Sequence, residues 1–356
     1  MAAPAQVTIC IPVYNGAQFV AQLLNSVARQ TYRDVQVLIS DDASTDGSAD
    51  VCRGFAQEHG FELIVQPERR GWVENCNWLL ERARGDFVCL VPHDDVLDER
   101  YVEVLAAYLS ATPVCVQAFS DMRGIGVTDA LFTQSSLVGP PFERIYGLVT
   151  RHFDGTPFRG LVRREALDRA GGLPANACEG FAADVDWIAR LAREGEIHRV
   201  PEVLYFKRFY ARSTAHAWGR WAEDAKTEAW LDHCGHLLGV ALGLELSAAQ
   251  LWLITHAAIR RLIMANEQRA PYPAIRHLPT GRKMEMAEAL LARFDRHFFA
   301  PGTSGEERRR VAAMMVEGLS AENVAAMVRS LEAVALLPRT PANLLRFLRG
   351  KPLKPR

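Results

Sequence analysis

Between residues 7 and about 120, short apolar runs alternate with segments of helical periodicity. That alternation restricts the chain to a layered α/β architecture more tightly than any other feature. The run at 7–13 is rich in β-branched residues and stops at Tyr14-Asn15-Gly16, a turn signal. Phe19, Leu23 and Val27 then recur at helical spacing. Further runs at 35–40, 61–65, 87–91 and 114–119 are separated by helical patterns, among them 72–84 and a segment opened by Asp98. Alternation at this pace predicts a Rossmann-like, mostly parallel central sheet with right-handed crossovers and flanking helices. Two of the runs lead into paired aspartates, Asp41-Asp42 and Asp94-Asp95. Parallel strands present their carboxyl ends at one edge, and ligands bind in the crevice outside it. Two carboxylate pairs at such an edge call for a divalent cation carrying phosphates, because oxygen ligands suit Mg²⁺ or Mn²⁺.

Beyond residue 120 the pattern changes twice. It weakens into a loop over 123–141, then returns as a helix around 142–152, a short strand at 160–162 and a helix over 164–170 ended by Gly171-Gly172. Asp184 opens another helix, and 203–209 is a last β-rich run. After about Ala217 the β signal disappears and an all-helical extension is expected. Ser247-x-x-Gln250 and Ser304-x-x-Glu307 read as capping boxes. Leu251, Ile254, Ala258 and Leu262 form a stripe that predicts a buried face, and 271–279 reads as a linker-like break.

Bulk properties exclude several function classes. A formal net charge of −1 gives no overall pull toward nucleic acid. The seven cysteines lack C-x-x-C spacing and read as reduced thiols of a cytoplasmic protein. The N-terminal residues lack the basic flank of a signal peptide. No apolar stretch reaches the roughly 18–20 residues of a membrane span.

Six segments in this order resemble the inverting glycosyltransferases of family 2. They are VTICIPVYNG (7–16), VLISDDASTDGS (37–48), the spaced Gly71, Asn77 and Ala83-Arg84-Gly85-Asp86, HDDVL (93–97), RGLVRREALDRAGGL (159–173) and ADVDWIARLAREG (183–195). The resemblance covers roughly residues 7–215 and implies the nucleotide-sugar-binding GT-A fold. The expected domains are then a catalytic domain over 1–216, a helical domain over 217–337 and a basic amphipathic tail over 338–356.

The resemblance also implies roles. Pro12, Val13 and Tyr14 would lie at the nucleotide base. Asp41 or Asp42 would accept a hydrogen bond from the base ring N–H, the other capping the following helix, with Asp42 expected as the cap. Arg69 and Arg70 either approach base or phosphate or form a solvated turn. Asn77 matches a family asparagine and is expected at the nucleotide. Asp94 would face ribose or metal, and Asp95 would coordinate the Mn²⁺ or Mg²⁺ that bridges the diphosphate. His93 is expected toward solvent or sugar. Asp184 is the expected catalytic base, taking the proton of the acceptor hydroxyl, and Trp187 either lines the acceptor site or belongs to the core. The chain departs from the family pattern at Pro92, where the first aspartate would stand, at Ala183 in place of a glutamate, and at Tyr210 in place of a histidine. Arg208 and Arg212 remain available to phosphate oxygens. Metal dependence is therefore left open.

After Glu332 the chain has no acid, and Arg339, Arg346, Arg349, Lys351, Lys354 and Arg356 interleave with leucines and Phe347. Such a tail suits either the surface of an anionic membrane or docking on the helical domain. The expected activity is transfer of one sugar from a nucleotide-diphosphate donor, UDP first, to a hydroxyl of a glycan or lipid-linked acceptor in surface polysaccharide assembly. The expected location is the cytoplasm, peripheral on the cytoplasmic face of the inner membrane, and a homodimer is left open. The alternative is a non-catalytic sugar-nucleotide-binding protein with a degraded site.

Overall fold

The computed structural model describes residues 5–150, 155–210, 214–265, 272–299 and 301–317. The chain divides into two compact units, Met1–Ala217 and Trp218–Arg356. The first begins with β1 (Val7–Val13), α1 (Val20–Ala28), β2 (Val35–Asp41), α2 (Ser48–His59), β3 (Glu62–Val65), α3 (Trp72–Arg82) and β4 (Phe87–Leu90). It continues through β5 (Val96–Leu97), α4 (Tyr101–Ala111), β6 (Cys115–Gly126), β7 (Leu131–Phe132) and α5 (Pro141–Thr150). A 3₁₀ turn (Thr156–Arg159), β8 (Leu161–Arg163), α6 (Arg164–Ala170), α7 (Ala183–Glu194) and β9 (Glu196–Phe209) complete it.

The strands form one sheet in the order β3-β2-β1-β4-β8-β6-β9-β5, with β7 on β6. β3, β2, β1 and β4 are mutually parallel, as the alternation predicts. β1 and β4 lie inside the sheet and are buried almost continuously, the mark of parallel strands covered on both faces. Val7, Ile9, Ile11 and Val13 pack with Leu23, Leu24 and Val27 of α1 and with Tyr101 and Leu105 of α4. The period-two and helical spacings of the sequence thus meet in one core.

Past β4 the pairing is mixed rather than mostly parallel. β8 is antiparallel to both β4 and β6, β9 runs parallel to β6, and β5 is antiparallel to β9. β6 also overruns the loop expected from residue 123, keeping register with β9 as far as Gly126 opposite Phe209. Local propensity fails there because Gly124 and Gly126 are poor strand formers; the partner strand supplies the order. Gly126 is required, since its φ is +94° and a Cβ would sit 2.5 Å from the Phe209 carbonyl oxygen.

α8 (Thr214–Gly219) lies at the boundary. The second unit holds α9 (Glu223–Leu242), α10 (Ala248–Ile263), a 3₁₀ turn (Ile275–His277), α11 (Thr280–Ala292), α12 (Asp295–Phe298) and α13 (Gly305–Glu317). Both halves of the Ser247/Gln250 box form at the start of α10. Ser304 and Glu307 exchange the same reciprocal bonds before α13. Ile254, Ala258 and Leu262 are fully buried, while Leu251 is half-buried. The basic tail at 338–356 lies outside the described residues. No helix among the described residues is long and apolar enough to cross a membrane.

Candidate active site

Register brings the acidic motifs to one edge. Val13 at the end of β1 lies opposite Asp41 at the end of β2, and Leu90 at the end of β4 lies opposite Cys10. The segment after β4 therefore leaves the sheet beside the Tyr14-Asn15-Gly16 turn. Asp41 is fully buried. Its Oδ1 accepts the Ser44 amide at 2.9 Å, while its Oδ2 is buried without a hydrogen-bond partner. An orphaned buried acceptor is costly and marks a position awaiting a donor.

Asp42 is buried and engaged on both oxygens. Its two oxygens accept the amides of Arg70 at 2.7 Å and Gly71 at 2.9 Å, so it fixes the entry to α3. It does not cap α2, whose N-cap is Gly47 with no side-chain cap bond; Asp46 just before it accepts the Ser48 amide at 3.1 Å and the Ala17 amide at 3.0 Å. The expected cap and nucleotide roles of Asp42 both give way to this brace. The Val13 carbonyl accepts the Asp42 amide at 2.8 Å, and the Pro12 carbonyl faces His93 Nδ1 at 3.3 Å. Tyr14 is half-buried, with the Arg69 guanidinium over its ring at 4.2 Å from the centroid. His93 packs against the turn so closely that a Cβ on Gly16 would sit 2.2 Å from its Cδ2.

Adjacent aspartates then separate in role. Asp95 is buried, and every oxygen of its carboxylate is engaged. Oδ2 accepts Arg159 Nε at 3.0 Å and the Tyr205 hydroxyl at 2.8 Å, and Oδ1 accepts the Arg208 amide at 2.8 Å. Asp95, expected as a metal ligand, is here the tie between β9 and the segment before β5. Asp94 is half-buried, with the Tyr210 hydroxyl beside it. Burial, then the neighbouring Asp95 charge, push its carboxyl above the usual range against opposing pulls from His93 and Arg159. Burial and the Asp94 charge likewise raise the Tyr210 phenol, so it remains a donor. Arg208 reaches the same place, with Nε on the Asp94 carbonyl at 2.9 Å and Nη2 on Gln22 Oε1 at 2.6 Å.

Asp184 stands in the first turn of α7. Its Oδ1 accepts the Val185 amide at 2.9 Å. Its Oδ2 lies over Gly155, where a Cβ would come within 2.2 Å. Arg159, bound to Asp95 at 3.0 Å, also feels the charge of this carboxylate. Burial alone would lower the Arg159 pKa, yet the Asp95 charge and hydrogen bond, with a smaller pull from Asp184, raise it, so the guanidinium stays charged. Tyr101 donates to the Arg159 carbonyl at 2.6 Å and holds the 3₁₀ turn in place.

Other expected residues are occupied elsewhere. Asn77 donates to the Leu173 carbonyl at 2.9 Å and accepts its amide at 2.7 Å. With both ends of its amide engaged, it staples α3 to the loop after α6 and is not presented to a nucleotide. Trp187 is 1% exposed, with its indole N–H on the Gly171 carbonyl at 2.9 Å. It is a core residue rather than an acceptor wall. Arg212 lies outside the described residues. Sequence reasoning missed Arg159, Tyr205 and Gly155. Arg159 lies inside one of the six matching segments and so was within reach; Tyr205 and Gly155 matter only through non-local contacts, which no local pattern encodes.

The donor set does not make a metal cage. Among the described residues no group of three or more His, Cys, Asp or Glu side chains is arranged to hold an ion. With Asp95 engaged and proline at position 92, Asp94 is the remaining carboxylate, and Tyr210 covers part of it. Mg²⁺ and Mn²⁺ prefer oxygen ligands in near-octahedral sets, so these residues do not fit a dedicated site.

Comparison with known proteins bears on the fold and the motif pattern. The family model described as Glycosyl transferase family 2 matches residues 8–171. Glycosyltransferase GlyA of Streptococcus pneumoniae serotype 4 is 23% identical over 297 residues, covering 82% of this chain and 42% of GlyA. The chain thus spans less than half the length of that relative. Among solved structures, S. aureus TarS 1-349 in complex with UDP aligns with a TM-score of 0.56 at 15% identity, covering 88% of this chain and 90% of that one. Mannosyltransferase PcManGT from Pyrobaculum calidifontis, in complex with GDP-Man and Mn²⁺, aligns with a TM-score of 0.51 at 20% identity, covering 92% and 84%. At these identities both structures speak to the fold alone, which is GT-A. Residues 8–171 thus match glycosyl transferase family 2, with its motifs set on the GT-A sheet of the first unit.

Proposed function

We propose that the chain transfers one sugar from a nucleotide-diphosphate donor to a hydroxyl group with inversion at the anomeric carbon. The observation that carries this reading is Arg159, which is bound to Asp95 and lies within electrostatic reach of the Asp184 carboxylate, so that the carboxylate and the Asp94-Asp95 segment share one neighbourhood. One carboxylate next to the leaving-group segment, and not a pair across the sugar, is what direct displacement requires.

In this reading the donor base enters against Tyr14 and offers a ring N–H to Asp41 Oδ2, the buried acceptor with no partner. The imide N–H of uracil or thymine meets that demand, which cytosine lacks; a UDP-sugar is the first candidate. Asp184 accepts the proton of the acceptor hydroxyl as the new C–O bond forms and the bond to the nucleoside diphosphate breaks. Gly155 keeps the space over Oδ2 free of a side chain. A glycan or lipid-linked acceptor in surface polysaccharide assembly remains the substrate class proposed for the hydroxyl.

Release of free nucleoside diphosphate from UDP-sugars tests the reading. Asp184→Asn should lower turnover by about 10²–10⁴-fold, the usual worth of a general base, with UDP affinity retained. Unimpaired turnover in that variant would refute the base assignment, and absence of turnover with every donor and acceptor tried would favour a binding protein.

A further inference from the structure

A nucleoside diphosphate leaves with charge that something must neutralise, and the side chains around Asp94 offer arginine in place of a metal cage. We propose that Arg208 holds the donor diphosphate directly and that donor binding requires no divalent cation. This rests on the glycosyl-transfer reading above and specifies how its leaving group is held.

Arg208 is built into position from three sides. Its backbone amide is fixed by Asp95 Oδ1 at 2.8 Å, its Nε by the Asp94 carbonyl at 2.9 Å and its Nη2 by Gln22 Oε1 at 2.6 Å. The guanidinium carbon lies 4.7 Å from the centroid of the Phe19 ring, which itself packs on Tyr210 at 5.0 Å. These partners are a carbonyl, an amide oxygen and an aromatic face; among the described residues no carboxylate bonds this guanidinium. Other arginines of the unit contrast with it. Arg159 is paired with Asp95, and Arg199 is paired with Asp121 through bonds of 2.6 and 2.7 Å.

A half-buried guanidinium near the end of β9, held by neutral partners and with no carboxylate bonded to it among the described residues, is arranged for an anion. Its unused N–H groups on Nη1 suit the paired oxygens of a phosphate. The same side chains that prepare it remove the alternative. Asp95 is engaged by the Arg208 amide, Arg159 and Tyr205, proline stands at position 92, and the Tyr210 hydroxyl lies beside Asp94. What weakens a cation site and what orders the arginine are therefore one arrangement. Arg69, stacked on Tyr14, adds a second cation at the same turn.

Calorimetric titration of the full chain with UDP, in EDTA and then with excess Mn²⁺, tests the inference. The expected result is binding in EDTA within about threefold of that with Mn²⁺, and an affinity loss of about tenfold or more in Arg208→Gln, as for a charge-assisted bond removed. UDP binding that appears only with Mn²⁺ would overturn the inference while leaving the glycosyl-transfer reading intact. Equal affinity of wild type and Arg208→Gln would overturn the arginine assignment alone. Failure of UDP, GDP and dTDP to bind under either condition would overturn both. The comparison of EDTA with Mn²⁺ uses the unaltered protein and stands even where the variant folds poorly.

Discussion

Asp94 and Asp95 are neighbours of identical chemistry, and their surroundings assign them opposite energetic signs. Asp95 is a satisfied buried ion: its side chain is 2% exposed and its partner Arg159 is 12% exposed. Replacing one member of such a pair strands the other charge, at a typical cost of about 3–5 kcal/mol. Asp95→Ala should therefore lower the urea unfolding midpoint strongly, and any loss of donor binding should follow the loss of folded protein. Asp94 is the reverse case. Its folded pKa is raised, first by burial and then by Asp95, so the native state holds a proton more readily than the unfolded chain. The ionised carboxylate thus destabilises the fold at neutral pH, and the penalty fades as pH falls toward the unfolded value of about 4. Asp94→Asn should melt above wild type at pH 7, with the gap closing on acidification; thermal melts across that range decide it. A residue kept at a cost to stability is expected where function needs it.

At the scale of elements, what could be read in the sequence divides at β4. The parallel half was legible because each βα unit carries its own periodicity: Val7, Ile9, Ile11 and Val13 alternate, and Leu23 and Val27 return on one helical face. The 3₁₀ turn, the short β5 and the overrun of β6 were not. Their order comes from partners distant in sequence, such as β9 supporting Gly124 and Gly126. The site divides the same way. Motif order located Asp41, Asp94 and Asp184, but which carboxylates are free depended on Arg159, Tyr205 and the amides of Arg70 and Gly71. Asn77 shows the hazard, since its place on α3 matched the family while its amide is consumed by Leu173. Asn77→Ala removes both bonds and should lower stability by about 1–3 kcal/mol. UDP affinity of the folded variant, measured by calorimetry, should stay unchanged; a selective loss of affinity without destabilisation would restore the nucleotide-binding role.

For the whole molecule, the division into Met1–Ala217 and Trp218–Arg356 makes a claim about where function resides. Every described residue that the proposed chemistry uses lies in the first unit, from Tyr14 at the base to Arg208 and Tyr210 at the diphosphate. That unit has its own sheet, with a core running from Val7 to Tyr205, and its length falls in the range in which domains fold alone. The second unit contributes helices with their own buried stripe and caps, but none of the side chains invoked for donor binding. A fragment of residues 1–220, which keeps α8 whole, should therefore melt cooperatively and show the same UDP-dependent rise in melting temperature as the full chain. Because ligand stabilisation follows the ratio of ligand concentration to Kd, equal shifts at matched UDP concentrations and matched starting stability mean equal affinity. A fragment that melts cooperatively yet gains nothing from UDP would place an essential donor contact beyond residue 220. A fragment without a cooperative transition would show that the sheet is not self-sufficient. Transfer to an acceptor is the separate measurement: a fragment that binds UDP as the full chain does but transfers poorly would assign the helical unit to the acceptor.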